Sequence, residues 1–140
     1  MNESYLDVTQ ESGRIFFTSD IEGPVVMLNL LRFNEIADFR LCSELMTELP
    51  ISGRQCYKMY MKHTSSFLKQ AGSDLLYFGN TLPNLIGPLD EKWDVMLLVK
   101  HASKEDFLKF ATNEEYLKIK GYRTAALADS RLMPILEGRI

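Results

Sequence analysis

Cysteine and histidine occur only twice each in this chain of 140 residues, and tryptophan once. Two cysteines, Cys42 and Cys56, cannot make a disulfide framework, which makes a reduced, cytoplasmic compartment the expectation. Metal-ligating pairs are missing too. There is no Cys-x-x-Cys or His-x-x-x-His, and Cys56 and His63 stand two helical turns apart, about 10.5 Å along an axis, too far to share one ion. No metal site is expected. No apolar run approaches the ~18 residues of a membrane span, and the first residues lack a basic-then-apolar leader, so neither membrane insertion nor export is expected. Gly-x-Gly-x-x-Gly, P-loop and Gly-x-Ser-x-Gly patterns are absent, as is any serine or cysteine triad. Positive charge is not in excess: 16 Lys+Arg against 19 Asp+Glu give −3 and a pI near 5.4. A nucleic-acid partner is therefore not expected. Acids are missing between Glu48 and Asp74, where Arg54, Lys58, Lys62 and Lys69 recur. That row reads as a solvated helix face.

What is present is a core. At 46% hydrophobic and 25% charged, the chain has the composition of one globular domain, expected to span 1–140. Residues 1–22 are polar; Thr9 could cap a short helix through Phe17, weakened by Gly13. Pro24–Phe33 is apolar on both alternating faces, the pattern of a strand covered on both sides. A helical turn is predicted within Ser43–Glu48. Ser52 and Gln55 form a capping box, and Tyr57, Tyr60, Met61, Thr64, Phe67, Leu68 and Ala71 follow at helical spacing, ended by Gly72. Leu75–Gly79 reads as a strand with an irregular continuation over Leu82–Pro88. Trp93–Lys100 is a second two-sided strand. Ser103 and Asp106 start another helix, and Thr112 with Glu115 predict a restart running to about Ala128. Leu132–Leu136 is strand-like, with Pro134 confining it to a sheet edge.

Strand, helix, strand, strand, helix, strand is the ferredoxin-like βαββαβ order, an α+β fold whose four-stranded antiparallel sheet carries its helices on one face. The other face must be covered as well, since large apolar patches are rarely left wet. A homodimer with sheets packed face to face is the expectation.

Several segments resemble domain of unknown function 1330: Gly23-Pro24-Val25-Val26-Met27-Leu28-Asn29-Leu30-Leu31-Arg32-Phe33, Ser52-Gly53 with Tyr57 and Tyr60, Leu85-Ile86-Gly87-Pro88, Trp93-Asp94, and Arg123–Leu132. The resemblance covers about residues 23–136. It implies a dimeric α+β barrel, an architecture shared with small monooxygenases, lactone isomerases and haem-degrading or peroxidase-like proteins. The family carries no general activity to transfer. The chain departs from it at Gly121, where a histidine often stands, so no general base on that helix is implied.

Five residues are candidates for ligand binding: Asn29, Arg32, Tyr60, Trp93 and Arg123. Asn29 interrupts an apolar strand and needs a partner for its amide. Arg32 lies near that strand's end. Tyr57 and Tyr60 sit on a buried helix stripe, where they pack in a core or offer a phenol to a pocket. Trp93 begins a strand with its indole N–H to place. Arg123 either closes the helix end by pairing with Asp129 or binds an anion. No catalytic residue is identified. The leading reading is a dimeric protein taking a small apolar or anionic molecule in a cleft between sheet and helices. Cofactor-free chemistry would extend it: an arginine holding a carboxylate or enolate, Tyr60 or Asn29 donating to an oxyanion. The alternatives are a non-catalytic association module and a haem- or flavin-using oxidase; no cofactor is predicted.

Overall fold

The computed structural model describes residues 3–139. Helix α1 (Gln10–Thr18) precedes strand β1 (Val25–Phe33), a 3-10 turn (Ser43–Leu45), helix α2 (Gly53–Gln70), strands β2 (Asp74–Asn80) and β3 (Val95–His101), helices α3 (Lys104–Ala111), α4 (Glu114–Ile119) and α5 (Gly121–Ala126), and strand β4 (Leu127–Ile135). The strands form one antiparallel sheet in the order β2-β3-β1-β4. With β1 and β3 in the middle, this is the ferredoxin-like arrangement. Among the described residues no helix is long and apolar enough to cross a membrane.

Local chemistry accounts for the elements. The Ser52 hydroxyl accepts from the Gln55 amide while the Gln55 side chain accepts from the Ser52 amide, closing the capping box of α2. Thr9 caps α1 by the same reciprocal device with Ser12, which outweighs Gly13. Gly72 has φ +72°, the left-handed turn after α2.

Two expectations need correcting. Thr112 starts no helix; it is the C-cap of α3, its hydroxyl donating back to the Leu108 carbonyl, and Asn113 caps α4 by accepting from the amides of Glu115 and Tyr116. The helix also stops at Ala126, short of Ala128. Its last carbonyls serve the end of β1 instead, Ala125 accepting from the Asp38 amide and Ala126 from the Asn34 amide. Strand β4 accordingly begins at Leu127, five residues before the apolar stretch that betrays it. Asp129, Ser130 and Arg131 hide it, since polar residues break the strand pattern. Pro134 does sit on an edge strand.

Alternation sorts the central strands. Val25, Met27 and Leu31 of β1 and Val95 and Leu97 of β3 are buried beneath the helices, with Cys56, Tyr57, Tyr60, Phe110, Tyr116, Ala125 and Ala126 completing the core. Val26, Leu28, Leu30, Met96 and Leu98 point the other way and stay half-buried, aligned by register with exposed Tyr77, Met133 and Ile135. Leu82, Leu85, Ile86 and Leu89, between β2 and β3, are 71–99% exposed.

One junction holds the layers together. Gly53 donates its amide to the Asn34 carbonyl at 3.0 Å, and a Cβ there would lie 2.3 Å from that carbonyl oxygen and 2.5 Å from the Ala126 oxygen. Gly53→Ala is expected to cost about 3 kcal/mol, at the upper end for overpacking against atoms that cannot yield. Urea denaturation measures it; a loss below ~0.5 kcal/mol would contradict the junction's role.

Candidate functional site

Beyond the junction the helix layer stands off the sheet, leaving a cavity of about 500 Å³, within the range of small-molecule sites. Its floor is the sheet: Met27 and Asn29 on β1, Leu97, Val99 and His101 on β3, and Ser130 and Leu132 on β4. The α2 stripe Tyr57, Tyr60, Met61, Thr64 and Leu68 supplies one wall; Phe107, Phe110 and Tyr116 supply another. The walls are mostly apolar, so each polar group among them stands out.

Tyr60 and Tyr116 share a hydrogen bond at 2.8 Å, and the rings of Tyr57 and Tyr60 lie 5.2 Å apart. Burial raises the pKa of all three phenols, while the nearby Arg123 guanidinium works against the rise. The phenols are therefore neutral donors beside a cation. Arg123 donates to the Leu6 carbonyl at 2.7 Å and makes no ion pair among the described residues. Thr64 is 2% exposed; its hydroxyl is sealed within the wall and interacts with the Tyr60 phenol, working against the rise in that phenol's pKa. Asn29 only partly satisfies itself, its amide reaching the Met27 carbonyl at 3.3 Å.

His101 ends β3 in this cavity. It is 2% exposed, its Nδ1 lies 2.7 Å from the Ser73 hydroxyl, and its ring packs at 5.0 Å on Phe107 and 6.0 Å on Phe110. Burial lowers its pKa to about 4, opposed by its charged neighbour Asp106.

The polar N-terminal stretch closes the mouth. Tyr5–Thr9 and Ser12 line the cavity. The Tyr5 amide donates to Asp129 at 2.9 Å, Ser130 donates to the Tyr5 carbonyl, and Lys120 reaches both Asp7 oxygens at 3.0 Å. Helix α1 buries none of its own residues; these ties hold the stretch down together with Leu6, packed against the core, and Phe16 and Phe17, packed on Phe107.

The sequence candidates divide between two places. Asn29, Tyr60 and Arg123 share the cavity. Arg32 and Trp93 line instead a separate hollow of about 250 Å³ with Pro88, Asp90, Glu91, Lys92 and Asp129, because Arg32 has the opposite strand parity to Asn29. There Trp93 Nε1 is buried without a partner among the described residues, and Arg131 lies 5.1 Å over the indole ring. The anticipated Arg123–Asp129 bridge does not form. Asp129 pairs with Arg131 at 2.8 Å and loosely with Arg32 at 3.8 Å. Burial alone would raise its pKa, but bonds from Tyr5, Arg131 and Ser130 bring it below the usual range. His101 and the N-terminal stretch escaped the sequence reading. For His101 the signal was available: residues 95, 97, 99 and 101 alternate onto one face.

No family model and no curated protein matches this chain. Among solved structures, the RPA0582 protein of unknown function from Rhodopseudomonas palustris superposes at a TM-score of 0.87 with 27% identity, covering 99% of this chain and 100% of that one. Its methylated form gives the same TM-score and identity over 97% and 96%. A dimeric ferredoxin-like protein of unknown function from Thermobifida fusca has a TM-score of 0.47, 12% identity and coverage of 81% and 91%. By its own strand order and element sequence the chain is a ferredoxin-like α+β protein, and none of these neighbours brings an activity with it.

Burial of neutral His101 gives a pH signature. The unfolded chain takes up a proton near pH 6.5 and the folded chain only near 4, so stability is full above 6.5 and falls between those values. The expected loss is about 3 kcal/mol. Asp7 and Asp129, whose pKa values are lowered from 3.8, add their losses at still lower pH. Denaturation at pH 7 and 4.5 of the native protein and His101→Phe measures this; an equal slope in both would refute it.

Proposed function

We propose that this chain binds a small, mostly apolar molecule carrying an anionic or carbonyl oxygen, in the cavity between sheet and helices. The observation that carries this reading is Arg123, a guanidinium with no ion pair among the described residues, set among the Tyr57, Tyr60 and Tyr116 phenols in a hollow otherwise walled by carbon. Arg123 supplies the positive charge, and Tyr60 and Asn29 supply donors for the same oxygen. An amide, a phenol and a guanidinium around a dry pocket are also what oxyanion stabilisation needs, which makes cofactor-free catalysis the second reading. Arg32 and Trp93 belong to a separate, smaller role at the second hollow.

The working unit in this proposal is a homodimer. The apolar row Val26, Leu28, Leu30, Met96 and Leu98, continued by exposed Tyr77, Met133 and Ile135, runs across the sheet face away from the helices, and a second copy would cover it. Membership of domain of unknown function 1330, one domain across the chain and a cytoplasmic site of action complete the reading; the quoted segments and the cysteine usage support them.

Arg123→Met tests the binding claim. It keeps the aliphatic stem and removes the charge and the bond to the Leu6 carbonyl, so the ligand-free protein should lose about 1 kcal/mol. Affinity for a small carboxylate found in a thermal-shift panel should fall roughly tenfold or more, the effect of one lost charge-assisted hydrogen bond. Unchanged affinity for every bound carboxylate would reject the assignment. For the dimer, sedimentation at micromolar concentration should give twice the chain mass, and Leu28→Glu about one chain mass. A monomeric native protein would end that part of the proposal.

A further inference from the structure

The cavity has a second polar end. His101 pairs with Val25 and Leu97 with Asn29 across the two central strands, so the Asn29 and His101 rows lie four residues, roughly 13 Å, apart. Between them the floor and wall are carbon: Leu97, Val99, Met61 and Leu68. Ser73 occupies Nδ1 of His101. Nε2 has no partner among the described residues, and unlike the Thr64 oxygen it is not sealed off. Ser73 is itself buried at 6%, so the ring orientation is set from behind. An imidazole neutral at pH 7 exchanges a hydrogen bond with an uncharged group through Nε2, as donor or acceptor according to tautomer.

We propose that the cavity is shaped for an elongated ligand with an anionic head at Arg123 and Tyr60, an apolar body along the sheet, and a hydroxyl or carbonyl at its far end received by Nε2 of His101. The inference rests on the binding reading above and adds the chemistry of the ligand's other end. A carboxylate is disfavoured there, because the neutral ring offers no charge and the low-dielectric wall penalises one.

Calorimetric titration with straight-chain alkanoates of six to twelve carbons and their ω-hydroxy counterparts tests the idea. At one chain length the terminal hydroxyl should tighten binding about tenfold, as one satisfied hydrogen bond does. In His101→Phe, which keeps the ring packing on Phe107 and Phe110, that ratio should fall to about one. A hydroxyl preference absent at every length, or intact in His101→Phe, overturns the inference while plain alkanoate binding leaves the cavity reading standing. If neither series binds, both fall. Should the variant not fold, 15N spectra of the native protein decide. The His101 Nε2 resonance should move with the ω-hydroxyalkanoate and not with the alkanoate, and an unmoved resonance overturns the proposal.

Discussion

Everything about this molecule's interior follows from how closely the helix layer can approach the sheet at one end and not at the other. At the junction of β1, α2 and α5 the contact residues are small, with Gly53, Cys56, Ala125 and Ala126 all buried. Backbone meets backbone there: Gly53 on Asn34, Asn34 on Ala126, Asp38 on Ala125. One turn further along α2 the facing residues become tyrosines, and their rings keep the helix away. Close packing is the rule in protein interiors, so a hollow must be propped open. Here the props are Tyr57, Tyr60 and Tyr116, braced by the phenol–phenol bond and by Phe110, whose ring lies 4.4 Å from that of Tyr116.

The same tyrosines give the hollow its chemical character. Aromatic props bring hydroxyls with them, and burial keeps those hydroxyls protonated. A wedge of phenylalanines would have left an inert void. With Arg123 alongside, the props become donors, and structure and recognition come from one set of side chains.

The legible part of this fold was the part governed by period. Two-sided apolar strands, the capping box at Ser52, the one-way cap at Ser103 and the Tyr57–Ala71 stripe all appear in place, because alternation and 3.6-residue spacing reflect burial directly. The stripe from Tyr57 to Leu68 is core face and cavity wall at once; core and wall look alike in sequence, since both are apolar. What stayed hidden depends on contacts far apart in the chain. Strand β4 begins at Leu127 and runs through Asp129, Ser130 and Arg131, polar residues with partners far off in sequence: Tyr5, 124 residues away, donates its amide to Asp129. Arg32 and Asn29 seemed neighbours, but strand parity sends them to opposite faces. Asn113 took the cap from Thr112 because its side chain could reach two amides at once.

The attachment of residues 5–19 separates two kinds of stability in one protein. The Leu31–Leu97 core is held by hydrophobic burial, which salt scarcely weakens. The stretch over the cavity mouth adds polar ties to its apolar contacts: Lys120 on Asp7, Arg123 on the Leu6 carbonyl and Lys104 on the carbonyls of Phe17 and Ser19, beside Phe16 and Phe17 on Phe107. Ionic strength loosens the charged pair among these ties and leaves the core alone. Raised salt therefore weakens one tie at the cavity mouth, the Lys120–Asp7 pair, while the bonds to backbone carbonyls and the apolar contacts keep their strength.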